Sequence, residues 1–111
     1  MMKIPMSPAA GALLRALIAR AAVARERILL TDAHSADWQS LTMSGERHHL
    51  ALRIAGRDSE EVARCLCAGL ENAEFSIAGV LVADIALVGT PRRDSEGATE
   101  LMIEALTIAG D

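Results

Sequence analysis

Aromatic side chains are nearly absent from this sequence: Trp38 and Phe75 make up 2% of its 111 residues, and there is no tyrosine. Proteins that bind single-stranded nucleic acid usually stack bases on aromatic side chains within a basic surface. This chain carries a net charge of −4, and Lys3 is its only lysine. We therefore expect no nucleic-acid partner and interpret its clustered arginines as solvated surface charges.

Long apolar runs are missing as well. Arg15 and Arg20 interrupt the alanine-rich N-terminal stretch, and no segment reaches the roughly 18 uninterrupted apolar residues of a membrane span. The same two arginines argue against the apolar part of a secretory signal peptide. We expect a cytoplasmic protein with no membrane partner, and export is the minor alternative.

Cysteine is scarce, with Cys65 and Cys67 two positions apart in a predicted helix. Side chains at this spacing diverge by about 200°, so the two thiols cannot bond to each other. They also lack the C-x-x-C spacing of redox and zinc motifs. Two free thiols fit a reducing cytoplasm.

The sequence lacks the common motifs that indicate an enzyme or a cofactor site. The chain has no glycine-rich phosphate loop and no G-x-S-x-G nucleophile turn. It has no paired-carboxylate motif either. We expect no cofactor, and whether the chain is an enzyme stays undecided at this point.

The composition is nevertheless that of a folded domain. Hydrophobic residues form 51% of the chain, which is enough for a packed core of Ala, Leu, Ile and Val, and the length suits a single domain over residues 1–111. Ser7 as N-cap and Pro8 at the first position predict a helix of about 20 residues. Its apolar face carries Leu13, Leu17, Ala21, Ala24 and Ile28.

Strands are predicted at 38–43 and 48–55, after a polar loop over 29–37. The segment 44–47 would form a hairpin turn with Gly45 at its first central position. This register places Leu41 opposite Leu50 and Trp38 opposite Arg53.

The second half repeats the order. A helix is predicted over 56–73, started by Asp58 in a capping box, and a long strand over 75–88. Residues 98–108 fit a strand better than a helix because their apolar residues scatter around a helical wheel. The expected fold is α+β: an αββαββ two-layer sandwich whose four-stranded antiparallel sheet has both helices on one face.

The adjacent His48 and His49 are the first candidates for a metal site. In a strand, neighbouring side chains point to opposite faces. His48 would share the helix-covered face with Leu50, and His49 the far face with Arg53. The two rings cannot hold one metal together, so we expect no metal centre. A loose divalent site at His34, in the predicted loop, is a weaker alternative.

Asp84 is the most unusual residue, because it interrupts the apolar stretch "VLVADIALV". A buried carboxylate among valines would have a raised pKa, which is common in catalytic acids and bases. A surface aspartate paired with Arg53 is the more ordinary interpretation. Asp84 and His49 are therefore candidate catalytic residues, and Trp38 and Arg53 are candidate binding residues.

The far face of the sheet is predicted to be apolar and uncovered. By alternation it carries Val80, Val82, Ala86 and Val88. Monomers rarely leave such a patch open, so we expect a homodimer joined through these four residues. The sequence favours a cytoplasmic homodimeric binding or structural module. The alternatives are a cofactor-free isomerase or lyase, and a carrier of a small apolar molecule, with a site on the same face.

Overall fold

The computed structural model describes residues 4–110. The elements in chain order are α1 (Pro8–Ala21), β1 (Ile28–Gln39), β2 (Ser44–Ile54), α2 (Ser59–Cys67), β3 (Val80–Arg93) and β4 (Thr99–Ala109), with single 3-10 turns at Arg25–Arg27 and Leu70–Asn72. The strands form one antiparallel sheet in the order β1-β2-β4-β3. The predicted α+β fold, its αββαββ order and the final strand are confirmed.

The helix α1 begins where the sequence predicts. The Ser7 hydroxyl accepts a hydrogen bond from the Ala10 N–H at 3.2 Å, and Pro8 follows it at the first helical position. The helix is shorter than predicted, at 14 residues, because Ala22 turns the backbone into the left-handed region at φ 58°. Neither helix within residues 4–110 is long and apolar enough to cross a membrane.

The helix α2 has nine residues and starts without a side-chain cap. Asp58 stands at the N-cap position, but its carboxylate pairs with the Arg27 guanidinium instead. That hydrogen bond holds the pKa of Asp58 below its usual range. The predicted capping box is therefore wrong, and Asp58 ties the start of α2 to the chain entering β1.

The largest error of the sequence prediction lies in β1. The predicted loop over 29–37 is a strand, and the turn of the hairpin is Ser40–Met43 instead of 44–47. Trp38 consequently lies opposite Gly45, not Arg53. An extra residue, Thr31, forms a β-bulge between Leu30 and Asp32. The residues of β1 are largely polar because β1 is an edge strand with much of its surface in solvent. This polarity led to the predicted loop.

The core lies between the helices and one face of the sheet. Helix α1 contributes Leu13 and Leu17, and α2 contributes Val62 and Leu66. The buried strand residues of this cluster are Ile28, Leu50, Leu52, Ile54, Ile85, Leu101, Ile103 and Ala105. Both helices contribute to this one aliphatic core. They therefore cover the same face of the sheet, as predicted.

The side chains of β3 do not alternate regularly between the two faces of the sheet. Its pairing with β4 shifts between Val82 and Asp84, so Ala83 is the extra residue of a bulge. Val82 packs against the core, and the alternation before the bulge puts Val80 on the same side. Leu81 points away from the helices and is 59% exposed. The prediction that Val80 and Val82 share the far face is therefore wrong.

His48 is fully buried on the helix side of β2. Its Nδ1 lies 2.7 Å from the Ser35 hydroxyl, and its Nε2 lies 2.7 Å from the Thr107 hydroxyl. Burial lowers the pKa of His48, and the nearby charge of Glu46 offsets only part of that effect. The ring is therefore neutral near pH 7 and links β1, β2 and β4 through its two nitrogens.

Gly45 is required where β2 meets β4. A Cβ atom at this position would lie 1.9 Å from the Thr107 carbonyl oxygen, which is far inside van der Waals contact. Gly11, on α1, is the opposite case: an added Cβ would have its nearest neighbour at 3.5 Å, in the flexible Arg15 side chain.

These two glycines should respond to alanine in opposite directions. We expect Gly45→Ala to lower the free energy of unfolding by about 2–4 kcal/mol, because backbone atoms must move. Gly11→Ala should raise it by about 0.5–1 kcal/mol, because alanine loses less entropy in a helix. Urea unfolding followed by circular dichroism measures both. A Gly45→Ala variant as stable as the wild type would contradict the close approach.

His48 should make the protein acid-sensitive. The unfolded chain takes up a proton at this ring near pH 6.5, whereas the folded chain takes it up only at lower pH. The contribution of the neutral ring is therefore complete above the unfolded pKa and is lost as the pH falls through and below it. We expect urea unfolding at about pH 8 and about pH 5 to show this loss. His48→Gln, which cannot titrate, should show a smaller difference between the two pH values; an equal difference would exclude His48 as the source.

Candidate functional site on the open face of the sheet

The sheet face that points away from the helices is not covered by residues 4–110, and we call it the open face. The strand register arranges its side chains in rows across β1, β2, β4 and β3. The rows are Leu29–Arg53–Glu100–Arg92, Asp32–Ala51–Met102–Val88, His34–His49–Glu104–Ala86, Ala36–Arg47–Leu106–Asp84 and Trp38–Gly45–Ile108–Leu81.

A polar cluster occupies the centre of the open face. The rings of His34 and His49 are cross-strand neighbours with centroids 6.4 Å apart, nearly perpendicular at 76°. Glu104 accepts a hydrogen bond from the Arg47 guanidinium at 3.3 Å, and its Oε1 lies 4.0 Å from His49 Nε2. These side chains are partly exposed. The cluster was not found from the sequence because His34 was assigned to a loop.

Apolar side chains flank this cluster on both sides. Met102 and Val88 are 39% and 42% exposed in one row, and Leu81 is 59% exposed in another. The apolar part of the open face is therefore divided into two patches by a charged row. The sequence predicted one continuous patch, and the bulge at Ala83 together with the unpredicted register of β1 accounts for the difference.

Arg53 lies at one end of the open face and is held by the β3–β4 loop. Its guanidinium donates to Asp94 and Glu96, each at 2.9 Å. Asp94 also accepts hydrogen bonds from the backbone N–H groups of Glu96 and Ala98. Burial alone would raise the pKa of Asp94, but these hydrogen bonds outweigh it and hold that pKa below its usual range. Arg53 thus fixes a loop and does not pair with Asp84.

Asp84 is exposed on the open face, next to Leu106. The burial that would have made it an unusual carboxylate is not found. The four candidate site residues Asp84, His49, Trp38 and Arg53 all lie on this face, but each stands in a different row. The arrangement does not gather them around one point where a substrate would meet acid and base groups.

Metal ligands are not brought together either. His48 and His49 lie on opposite faces of β2, as alternation predicts. Within residues 4–110, no group of three or more His, Cys, Asp and Glu side chains has a geometry that would hold a metal ion.

The two thiols lie in different surroundings, and both are free. Cys65 is exposed, whereas Cys67 is half-buried and lines a groove of about 550 Å³ between α2 and the edge strand β3. We call it the α2–β3 groove. Its apolar lining comprises Ala63, Cys67, Ala68, Leu87 and Pro91, and its polar lining comprises Glu60, Arg64, Arg93 and Thr99. Burial raises the pKa of Cys67, although the charge of Arg20 opposes this.

The hairpin tip, Ser40–Met43, carries a surface feature that the sequence prediction missed. Leu41 is fully exposed and Met43 is 49% exposed. The Ser40 hydroxyl accepts hydrogen bonds from the N–H groups of Thr42 and Met43, at 3.3 and 3.1 Å. The Ser40 N–H donates to the Met43 carbonyl at 2.9 Å. These hydrogen bonds fix the backbone of the turn, and the turn leaves both apolar side chains in solvent.

Comparison with known proteins gives a likeness in structure alone. No family model matches the sequence, and no curated protein matches it significantly. One solved structure shares this fold. It is a chain of the "Virion of native gene transfer agent (GTA) particle", which superposes with a TM-score of 0.69 over 94% of this chain and 100% of that chain. At 13% identity, the likeness establishes the shared fold.

Proposed function

We propose that this chain is a structural subunit that works by binding other protein chains in an assembly. The observation that carries the proposal is the apolar surface that its own helices leave uncovered. Leu29, Leu81, Val88 and Met102 on the open face are each between 39% and 59% exposed. Burying apolar surface gains roughly 25 cal/mol per Å², so another chain over this face would stabilise it.

The structural neighbour supports the same function. Its whole length superposes on this chain, and its title describes a virion particle. We propose that this chain also serves as a component of a multi-chain particle. As newly made subunits, the chains would reside in the cytoplasm, where reducing conditions keep Cys65 and Cys67 as free thiols.

We further propose that a second copy covers the open face in a homodimer. Of the four interface residues predicted from the sequence, Ala86 and Val88 lie on this face, whereas Val80 and Val82 do not. Leu81 and Met102 replace them as the main apolar contacts. The charged row between the apolar patches would fix how the two copies align, as polar groups commonly do in interfaces.

The enzyme and carrier alternatives receive less support. A cofactor-free isomerase or lyase needs its acid and base within hydrogen-bond reach of one substrate, and the candidate residues stand in four different rows. A carrier needs a concave apolar pocket, and the open face instead carries a charged cluster at its centre.

Light scattering coupled to size exclusion tests the homodimer. We expect the wild type to contain at least two chains at micromolar concentration. Leu81→Asp combined with Met102→Asp should separate the copies, because each substitution places a carboxylate in the buried apolar contact. Cys65→Asp, on the exposed side of α2, is the matched control and should leave the mass unchanged. A double variant with the wild-type mass, or a wild type that stays monomeric, would contradict association through the open face.

A further inference from the structure

The open face carries two imidazole rings side by side on neighbouring strands. His34 of β1 is paired in register with His49 of β2, and both residues are exposed. Their ring centroids are 6.4 Å apart, whereas two imidazoles on one tetrahedral zinc ion have centroids about 5 Å apart, given metal–nitrogen bonds of about 2 Å. Rotation about the side-chain bonds of these exposed rings closes the difference. One chain therefore presents half of the ligands that a tetrahedral metal site needs.

We propose that the His34–His49 pairs of two copies meet across the open face and together bind one divalent transition-metal ion through four imidazoles. This proposal rests on the proposed function, because the second copy is the one that covers the open face in the homodimer. Zn²⁺ fits such a site best, since imidazole is one of its usual ligands and its structural sites are almost always tetrahedral. The site is incomplete in a single chain.

The place of this pair on the open face suits a two-fold dimer. The row His34–His49–Glu104–Ala86 is the middle one of the five rows, with an apolar patch on either side. A two-fold axis that runs across the strands along this row places the row over itself and each apolar patch over the other patch of the second copy. Each strand then lies over its own counterpart, so the two pairs of imidazoles face each other.

The separation of packed sheets matches the reach of a histidine side chain. Sheets that pack face to face lie about 10 Å apart, so an ion midway between them is about 5 Å from either backbone. An extended imidazole with a metal–nitrogen bond of about 2 Å spans this distance. The apolar patches can therefore make contact while the metal site forms.

Glu104 supplies negative charge beside the imidazoles. Its Oε1 lies 4.0 Å from His49 Nε2. A carboxylate commonly accepts the second ring N–H of a metal-binding histidine, which orients the ring and strengthens it as a ligand. His49 would then bind the metal through Nδ1. The two Glu104 carboxylates of the dimer together offset the charge of one divalent ion held by four neutral rings.

The existing partner of Glu104 does not prevent this role. Arg47 donates to Glu104 at 3.3 Å, and both side chains are partly exposed; such surface pairs contribute little to stability. The same two-fold axis places Asp32 of one copy near Arg47 of the second copy, because their rows lie on either side of the middle row and their strands are neighbours. Arg47 can therefore pair with Asp32 of the second copy and leave Glu104 to His49.

Zinc titration of the metal-free protein tests the site. Protein dialysed against EDTA and then against buffer is titrated with ZnCl₂ in a calorimeter. The chain carries Cys65→Ser and Cys67→Ser throughout, because thiolates also bind zinc. We expect one zinc ion for every two chains.

Single substitutions in the same background assign the ligands. His34→Ala and His49→Ala should each lower the zinc affinity at least about tenfold, and Glu104→Gln, which removes a positioning group, about 10- to 100-fold. Glu100→Gln is the matched control. It neutralises a carboxylate on the same strand, two rows from the site, and should leave the zinc affinity unchanged.

Zinc binding and association must strengthen each other, because the complete site exists only in the dimer. A dilution series followed by light scattering should show a dimer dissociation constant at least about tenfold lower with zinc than with EDTA. Leu81→Asp with Met102→Asp, which separates the copies, should weaken zinc binding by a similar factor. Its added carboxylates attract a cation, so local charge does not explain a loss of zinc affinity in this variant.

The outcomes distinguish the metal site from the homodimer. One zinc ion per chain, or a zinc affinity that stays unchanged in the histidine variants or in the separated variant, would overturn the shared site. A wild type that is dimeric in EDTA and binds no added zinc overturns the metal site and leaves the homodimer standing. A wild type that is monomeric in EDTA and in zinc alike overturns the homodimer and the shared site together.

Discussion

The pairing of β2 with β4 is the constraint on which the rest of the structure depends. These two strands are about half the chain apart in sequence, yet they are central neighbours whose register runs without a shift from Gly45–Ile108 to Ile54–Thr99. They carry most of the buried strand residues, and the close approach of Gly45 to Thr107 and the hydrogen bond of His48 to Thr107 lie along their seam. Each hairpin supplies one strand, so neither hairpin completes the core without the other.

The sequence predicted what depends on local pattern. The order of elements, the aliphatic core, the final strand and the opposite orientations of His48 and His49 all follow from period and alternation, which neighbouring residues determine. The start of α1 at Ser7 follows from capping chemistry. These features do not require knowledge of which strands meet.

What the sequence did not predict depends on contacts between distant segments. Thr31 to Asp37 are polar enough to resemble a loop, and only pairing with β2 makes them a strand. The bulge at Ala83 inserts one residue into β3. Leu81 and Val82 therefore lie on the faces opposite to those that regular alternation predicts. Leu41 was consequently assigned to a strand, and the apolar hairpin tip was missed. Trp38 and Arg53 were placed on the correct side of the sheet but opposite each other, whereas Trp38 lies opposite Gly45.

The bulges in the sheet bear on the assembly that we propose. All three interruptions of regular pairing fall on edge strands: one at Thr31 of β1, one at Ala83 of β3, and one between Val88 and Arg92 of β3, a segment that includes Pro91. A straight, regular edge offers backbone groups to any other strand, which leads to uncontrolled polymerisation. Twisted and interrupted edges resist this. In the assembly that we propose, such edges would let free subunits accumulate without pairing edge to edge, so that side-chain contacts select the partner.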